Sequence, residues 1–198
     1  MLACAFAGTL EVTVLDPADE PVPDVAVYVS YASGGPKTMP GTAVMDQKDT
    51  RFVPHMLVVQ KGTSVEFPNS DVVAHHVYSF SKPNNFALAL YKGDPHDPIT
   101  FQHDGIVTLG CNIHDHMLAY IVVVDSDAYG KTGKDGRVAI DLDDTAKDAT
   151  LHIWSPRIRD KKVSRAVSAA SQAVTFTLEK KLRPAHDPGE EVLQWSEY

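Results

Sequence analysis

Three things are scarce in this chain of 198 residues: cysteine, clustered basic residues and long apolar runs. The two cysteines, Cys4 and Cys111, allow one disulfide at most. A formal net charge of -8 without a basic cluster argues against a nucleic-acid-binding surface, because such a surface needs concentrated positive charge. The apolar run at residues 119–124 is far shorter than the roughly 20 residues that span a bilayer, and the sequence predicts no membrane-spanning segment.

The overall composition is that of a globular protein. Hydrophobic residues make up 43% of the chain and aromatic residues 8%, which is enough to bury one large core or two small ones. The excess of acidic residues indicates a basic docking partner, for example a cytochrome.

A candidate metal-binding segment contains the second cysteine. Cys111, His114 and Met117 follow one another at the spacing Cys-x2-His-x2-Met. Copper prefers thiolate, imidazole and thioether ligands, and a His2Cys site with a long axial Met holds copper for electron transfer. A lone cysteine in an apolar strand is usually inert core, and Met117 alone suits a core position, but the combined spacing favours a metal. A second histidine ligand has to come from elsewhere in the chain.

Two adjacent histidines, His75 and His76, are the candidates for that ligand. They follow a strand that is predicted to break at residues 68–69 and to resume near His75. Successive side chains of a regular strand point to opposite faces, so only one of the two reaches the metal. His76, Tyr78 and Phe80 occupy alternate positions and so lie on one face of the strand. Tyr78 and Phe80 look like core residues, and this parity argument favours His76 as the ligand.

An ordered series of signals surrounds these candidates. In chain order it consists of Phe52-x-Pro54, an apolar strand through Met56, Val58 and Val59, the turn Lys61-Gly62, the strand Val65-x-Phe67, Asn69 six positions before His75, and the cysteine loop. In this order, residues 42–124, about two fifths of the chain, resemble a small blue-copper domain of the cupredoxin family, related to plastocyanin and amicyanin. The Cys-x2-His-x2-Met spacing matches the short, amicyanin-like form of the loop.

The resemblance implies a Greek-key β-sandwich that holds one copper ion per chain. In the family pattern the ligand follows the asparagine by six positions, which favours His75 and gives His76 a place beside the ligand. The spacing from the asparagine selects His75, whereas the parity argument selects His76, and we prefer the spacing. The copper ligands implied in this way are His75, Cys111, His114 and Met117.

The same resemblance gives roles to neighbours of the ligands. His114 would pass electrons to a partner through an apolar surface. Asn112 and nearby backbone amides would donate hydrogen bonds to the thiolate sulfur and tune its potential. His116 either competes with Met117 for the axial position or faces solvent.

The implied function is single-electron transfer between redox proteins, such as a cytochrome and a copper oxidoreductase, without catalysis. One alternative is a periplasmic protein that carries or sequesters copper, in which His76 and His116 help to exchange the metal. Another is an open-site copper enzyme, in which Met117 does not bind and a small molecule takes its place.

A second β pattern flanks the copper-like stretch. Alternating apolar residues occur before it and after it, at residues 10–14, 22–29, 138–142, 151–154 and 174–178. Together these two halves resemble the transthyretin-like module that is attached to carboxypeptidases and to bacterial surface proteins. We therefore predict an all-β protein in which a cupredoxin sandwich, residues 39–125, is inserted into a smaller transthyretin-like sandwich, residues 9–38 and 126–180.

The sequence also predicts the character of both ends of the chain and of one internal segment. Residues 1–8 are small and apolar and resemble a signal-peptide remnant, which implies a periplasmic protein whose mature form has Cys111 as its only thiol. A disulfide between Cys4 and Cys111 is the alternative. Residues 161–172, rich in Ala and Ser, predict either a helix or an irregular linker, and residues 181–198 predict an extended tail.

Overall fold

The structure is a computed structural model that describes residues 8–32, 39–93, 96–142, 148–160, 163–168 and 171–185. Regular structure in these ranges consists of β-strands without any helix, so the predicted all-β fold class is confirmed. Accordingly, nothing in the described part of the chain forms a helix long and apolar enough to cross a membrane. The predicted signal remnant with Cys4 lies outside the described residues, except for Gly8.

The strands follow one another closely along the chain. They are β1 (Gly8–Leu15), β2 (Ala26–Tyr31), β3 (Thr42–Val44), β4 (Asp46–Lys48), β5 (Arg51–Val53), β6 (Met56–Gln60), β7 (Ser64–Glu66), β8 (His75–Ser79), β9 (Phe86–Tyr91), β10 (Ile99–Thr100), β11 (Gly105–Gly110), β12 (Leu118–Val124), β13 (Tyr129–Lys131), β14 (Arg137–Leu142), β15 (Ala149–Trp154), β16 (Ser164–Val167) and β17 (Ala173–Thr177). Their contacts divide the described residues into two compact units, one drawn from Met1–Met39 and Val124–Ala185 and the other from Pro40–Val123.

The first unit is a sandwich of two sheets around an apolar core. Its three-stranded sheet has the order β14-β1-β17, and its four-stranded sheet has the order β13-β2-β15-β16. Leu10, Val12 and Val14 of β1 alternate along the strand and have no exposed surface. They pack in one cluster with Val29 of β2 and Leu151 of β15, so the two sheets share a core. The transthyretin-like character of this unit stays a prediction.

The second unit contains the copper-like stretch. It has a five-stranded sheet of order β6-β12-β11-β8-β9, a three-stranded sheet of order β10-β7-β3 and the pair β4-β5. Val77, Leu109 and Ile121 of the five-stranded sheet share a buried cluster with Val65 of β7 and with Phe67. The unit is therefore a second β-sandwich with its own core.

The order of the five-stranded sheet decides where the predicted ligands lie. Strand β11 runs antiparallel to β8, with Gly110 opposite Tyr78, and antiparallel to β12, with Gly110 opposite Leu118. The end of β11 therefore lies beside the beginning of β12, and the chain that leaves β11 runs toward the beginning of β8. Cys111 directly follows β11 and His75 opens β8, so both residues lie at one end of the sheet.

The structure corrects the prediction for residues 161–172. Ser164–Val167 forms the strand β16, and is neither helix nor irregular linker. It pairs antiparallel with β15, with Val167 opposite Ala149. The backbone groups at the edge of β15 supply hydrogen-bond partners, and this pairing outweighs the helix propensity of a short segment that contains Ala and Ser. Of the predicted tail, residues 181–185 are described and have no regular structure.

Candidate metal centre

Three of the predicted ligands meet at the end of the five-stranded sheet. The donor atoms of His75, Cys111 and His114 all lie within 4.8 Å of one another. The Nδ1 atoms of His75 and His114 are 3.1 Å apart, and Cys111 Sγ is 3.9 Å from His114 Nδ1. His75 is 0% exposed and Cys111 3% exposed, whereas His114 is half-buried.

The chemistry and the spacing of these donors fit one copper ion per chain. Imidazole nitrogens bind first-row metals at about 2 Å. Two such nitrogens 3.1 Å apart can therefore contact the same ion. A thiolate beside two imidazoles forms a donor set that suits copper in both oxidation states, whereas magnesium and calcium require oxygen ligands.

The two histidine candidates have different surroundings. His75 belongs to the donor cluster, while His76 is half-buried and has its Nδ1 atom 3.0 Å from Nδ2 of Asn112. The parity argument that favoured His76 was wrong because it took the wrong face of β8 for the core. Val77, which shares its parity with His75, is 0% exposed, and Phe80 is 83% exposed. The inward face of β8 is therefore the face that carries His75.

The two candidates for the axial position differ in burial. Met117 is 2% exposed and packs in the same apolar cluster as Cys111. Its backbone N–H donates to the carbonyl of His114 at 2.9 Å. This hydrogen bond closes the ligand loop, residues 111–117, just before β12. His116 is half-buried, and its ring centroid lies 6.0 Å from that of His114. Met117 is thus buried in the cluster of Cys111, and its place as the axial ligand stays a prediction.

The surroundings of His114 favour its neutral form. Burial lowers the pKa of His114 below its ordinary value of 6.5, and the neighbouring His75 and His116 lower it further, while Asp71 acts in the opposite direction. An imidazole must lose its proton from the nitrogen that binds a metal. His114 thus combines a preference for the neutral imidazole with partial access to solvent.

Solved cupredoxin structures are similar to this chain. A purple cupredoxin from Nitrosopumilus maritimus is 20% identical, with a TM-score of 0.37 over 41% of this chain and 99% of its own. Amicyanin from Paracoccus versutus is 18% identical, with a TM-score of 0.37 over 49% of this chain and 98% of its own. A copper-containing nitrite reductase from Thermus scotoductus is 26% identical, with a TM-score of 0.39 over 57% of this chain. No family model and no curated protein matches the chain.

The His-Cys-His cluster fits a blue-copper site. The predicted resemblance to cupredoxins is confirmed to this extent, and the cofactor that fits the cluster is copper. The chain spans only 28% of the nitrite reductase, so it corresponds to a small part of that enzyme. The transthyretin-like resemblance of the first unit has no counterpart among these similarities.

Asp71, which no motif in the sequence singles out, contacts one of the predicted ligands. Oδ2 of Asp71 lies 3.0 Å from Nε2 of His75. The backbone N–H of Thr50 donates to the same oxygen, and that of Val72 donates to Oδ1, both at 2.7 Å. The hydrogen bond from Thr50, followed by that from His75, lowers the pKa of Asp71 to about 2, so the side chain is a carboxylate. The only sequence signal is an acidic residue four positions before a histidine.

A buried polar network holds the loop that carries Asp71. Asn69 Nδ2 donates to the carbonyls of Val73 and Tyr91 at 2.9 and 3.0 Å. Asn69 Oδ1 accepts the backbone N–H of Asp71 at 3.0 Å. Gln47 Nε2 donates to the hydroxyl of Tyr91, and burial raises the pKa of Tyr91 to about 12, so this hydroxyl keeps its proton. The network fixes the backbone on either side of Asp71.

A pocket of about 490 Å³ opens beside the donor cluster. Cys111 and Met117 line it, together with Tyr78 of β8 and Asp115 of the ligand loop. A Cβ atom at Gly110 would lie 2.8 Å from Cζ of Tyr78, so glycine is what lets this ring pack against β11. Cys111 and Met117, although nearly buried, thus form part of the wall of this pocket.

Proposed function

We propose that this chain is a type 1 copper protein that shuttles single electrons between redox partners and does not itself catalyse a reaction. The observation that carries the proposal is the cluster of His75, Cys111 and His114, whose donor atoms lie within 4.8 Å of one another. When bound, copper supplies the redox chemistry by cycling between Cu(I) and Cu(II), both of which suit these ligands.

The protein's part is to hold the donors in one arrangement. His75 and Cys111 lie at the ends of β8 and β11, which are paired through Tyr78 and Gly110. Residues in a close-packed core keep their positions, so a change of oxidation state is accompanied by little movement of the ligands. Little movement lowers the barrier to electron transfer.

His114 is the proposed electron port. It is half-buried, whereas His75 and Cys111 are buried. The loops that carry the ligands also expose apolar side chains, since Ile113 is 53% exposed and Val72 is 79% exposed. Exposed apolar surface of this kind suits the docking of a partner protein.

The proposed partner is a basic redox protein, such as a cytochrome or a copper oxidoreductase, and the proposed location is the periplasm. The net charge of -8 supports a partner of opposite charge, because complementary charge speeds the encounter of two proteins. The small, apolar composition of residues 1–8 supports export.

Titration of the metal-free protein with Cu(II) tests the proposed function. We expect one copper ion per chain and an intense visible band from charge transfer between thiolate and copper, with a matching electron paramagnetic resonance spectrum. A pale spectrum without sulfur ligation would remove Cys111 from the metal and overturn the proposal.

Retention of copper separates electron transfer from copper carriage. An electron carrier keeps its copper in both oxidation states when a competing chelator is added. A copper carrier releases the metal readily, and the half-buried His76 and His116 would then bind a second equivalent. Chelator competition with the oxidised and the reduced protein measures this difference.

The pocket beside Cys111 and Met117 favours a second candidate function, that of an open-site copper enzyme. In this alternative, a small molecule takes the place of Met117 as a copper ligand. Azide added to the copper-loaded protein would then change the thiolate band. An unchanged band favours electron transfer.

Leucine in place of Met117 is expected to leave copper bound and to raise the reduction potential. Loss of a fourth donor weakens the binding of Cu(II) more than that of Cu(I), and a tenfold change in the ratio of the two affinities corresponds to about 59 mV. Spectroelectrochemical titration measures the shift. Met45→Leu is the matched control, since Met45 is 0% exposed in the same apolar cluster. Equal potentials in the two variants would argue against an axial Met117.

A further inference from the structure

The two ring nitrogens of His75 have different surroundings. Nδ1 lies 3.1 Å from Nδ1 of His114, within the donor cluster. Nε2 lies 3.0 Å from Oδ2 of Asp71. A neutral imidazole carries one proton, and a carboxylate accepts hydrogen bonds without donating any. The proton therefore belongs on Nε2, which leaves the lone pair of Nδ1 for a metal.

Asp71 is held in place from both sides. Its Oδ2 atom also accepts the backbone N–H of Thr50 at 2.7 Å, and its Oδ1 atom accepts that of Val72 at 2.7 Å. The side chain of Asn69 accepts the backbone N–H of Asp71 itself at 3.0 Å. The Asp71 side chain is only 8% exposed, so solvent screens its interaction with His75 weakly.

A purely structural role would not require the contact with the ring. The hydrogen bonds from Thr50 and Val72 are sufficient for Asp71 to fix the turn before β8. The contact with His75 adds a negative charge on the outer nitrogen of a buried ring whose inner nitrogen belongs to the cluster. Negative charge close to a metal favours its more positive oxidation state.

We propose that Asp71 is a positioning residue of the copper site, which fixes the orientation and the tautomer of His75 and lowers the reduction potential through its charge. This inference rests on the proposed function, because it takes His75 as a copper ligand. The carboxylate acts through the imidazole and does not touch the metal.

Asn in place of Asp71 removes the charge and keeps an acceptor oxygen. We expect the affinity for Cu(II) to fall by about 10- to 100-fold, which is typical when an outer partner of a metal ligand is lost. The affinity for Cu(I) falls less, so the reduction potential rises by about 59 mV for each tenfold change in the affinity ratio. Competition titrations in both oxidation states and a spectroelectrochemical potential measure these changes.

Asp46→Asn is the matched control. Asp46 Oδ1 accepts the backbone N–H groups of Gln47 and Ser70 at 2.7 and 3.2 Å, so the variant removes the same charge from a carboxylate that supports a neighbouring part of the loop. We expect its potential and its affinity ratio to match those of the unsubstituted protein. Equal potentials in the Asp71→Asn and Asp46→Asn variants would overturn the role of Asp71.

A measurement on the unsubstituted protein remains decisive if Asp71→Asn does not fold. Reduced copper is diamagnetic, so nuclear magnetic resonance of the Cu(I) form reports the protons of His75. We expect a slowly exchanging proton on Nε2, and a proton on Nδ1 instead would overturn the inference. An absent thiolate band after copper loading would instead overturn the proposed function, so the two failures are distinguishable.

Discussion

Serine in place of Cys111 is expected to abolish the intense visible absorption of the copper-loaded chain. That band requires a thiolate bound to copper, and a serine hydroxyl is neither ionised at neutral pH nor a soft ligand. Cys111 is the free cysteine of the described residues, so no other thiol in them replaces it. Visible absorption and electron paramagnetic resonance spectra after loading with Cu(II) measure the loss.

Ile113→Ser is the control for this loss. Ile113 lies in the same loop, is 53% exposed and offers no donor atom to the cluster, so the band is expected to persist. Circular dichroism shows whether each variant keeps its β structure. A band of unchanged intensity in folded Cys111→Ser would place the thiolate off the copper and contradict the proposed site.

Asn in place of His75 is expected to weaken copper binding strongly, and the same change at His76 is expected to weaken it little. His75→Asn removes one of the three clustered donors, so we expect the affinity for Cu(II) to fall by more than the 10- to 100-fold typical of residues that only support a ligand. His76→Asn removes a half-buried ring that contacts Asn112, and an amide at this position keeps a hydrogen-bonding group there. Copper should then stay bound with its thiolate band.

Competition with a copper chelator measures both affinities under the same conditions. The two variants carry the same substitution at adjacent positions of β8, so each is the control for the other. Loss of the site in His76→Asn, with retention in His75→Asn, would reverse the ligand assignment. Similar losses in both variants would indicate disruption of β8 and not of one ligand.

The ligand loop is the part of the site that the sequence predicts best. Cys111 and His114 lie within one short loop, so local spacing is enough to bring their donor atoms together. Alternation likewise predicts the buried face of β1, where Leu10, Val12 and Val14 have no exposed surface. Both predictions depend on residues that are close in sequence.

Interactions between separate segments were harder to predict. The parity argument for His76 failed because an aromatic side chain was taken as core, although Phe80 is 83% exposed. Asp71 was missed because its contact with His75 depends on the conformation of the turn before β8. Hydrogen bonds with Thr50 and Asn69 stabilise that turn. The strand β16 was missed because only Val167 of its four residues is buried, so the segment lacks the apolar alternation that marks a strand.

The pairing of β11 with β12 holds both ends of the ligand loop, residues 111–117, at fixed positions. Both strands are aligned from Gly105 opposite Val123 to Gly110 opposite Leu118, and this register is set by backbone pairing outside the loop. The loop can therefore change in length or composition while its two anchor points keep their separation. His75 lies on β8, a different strand, so its position does not depend on the seven residues from 111 to 117.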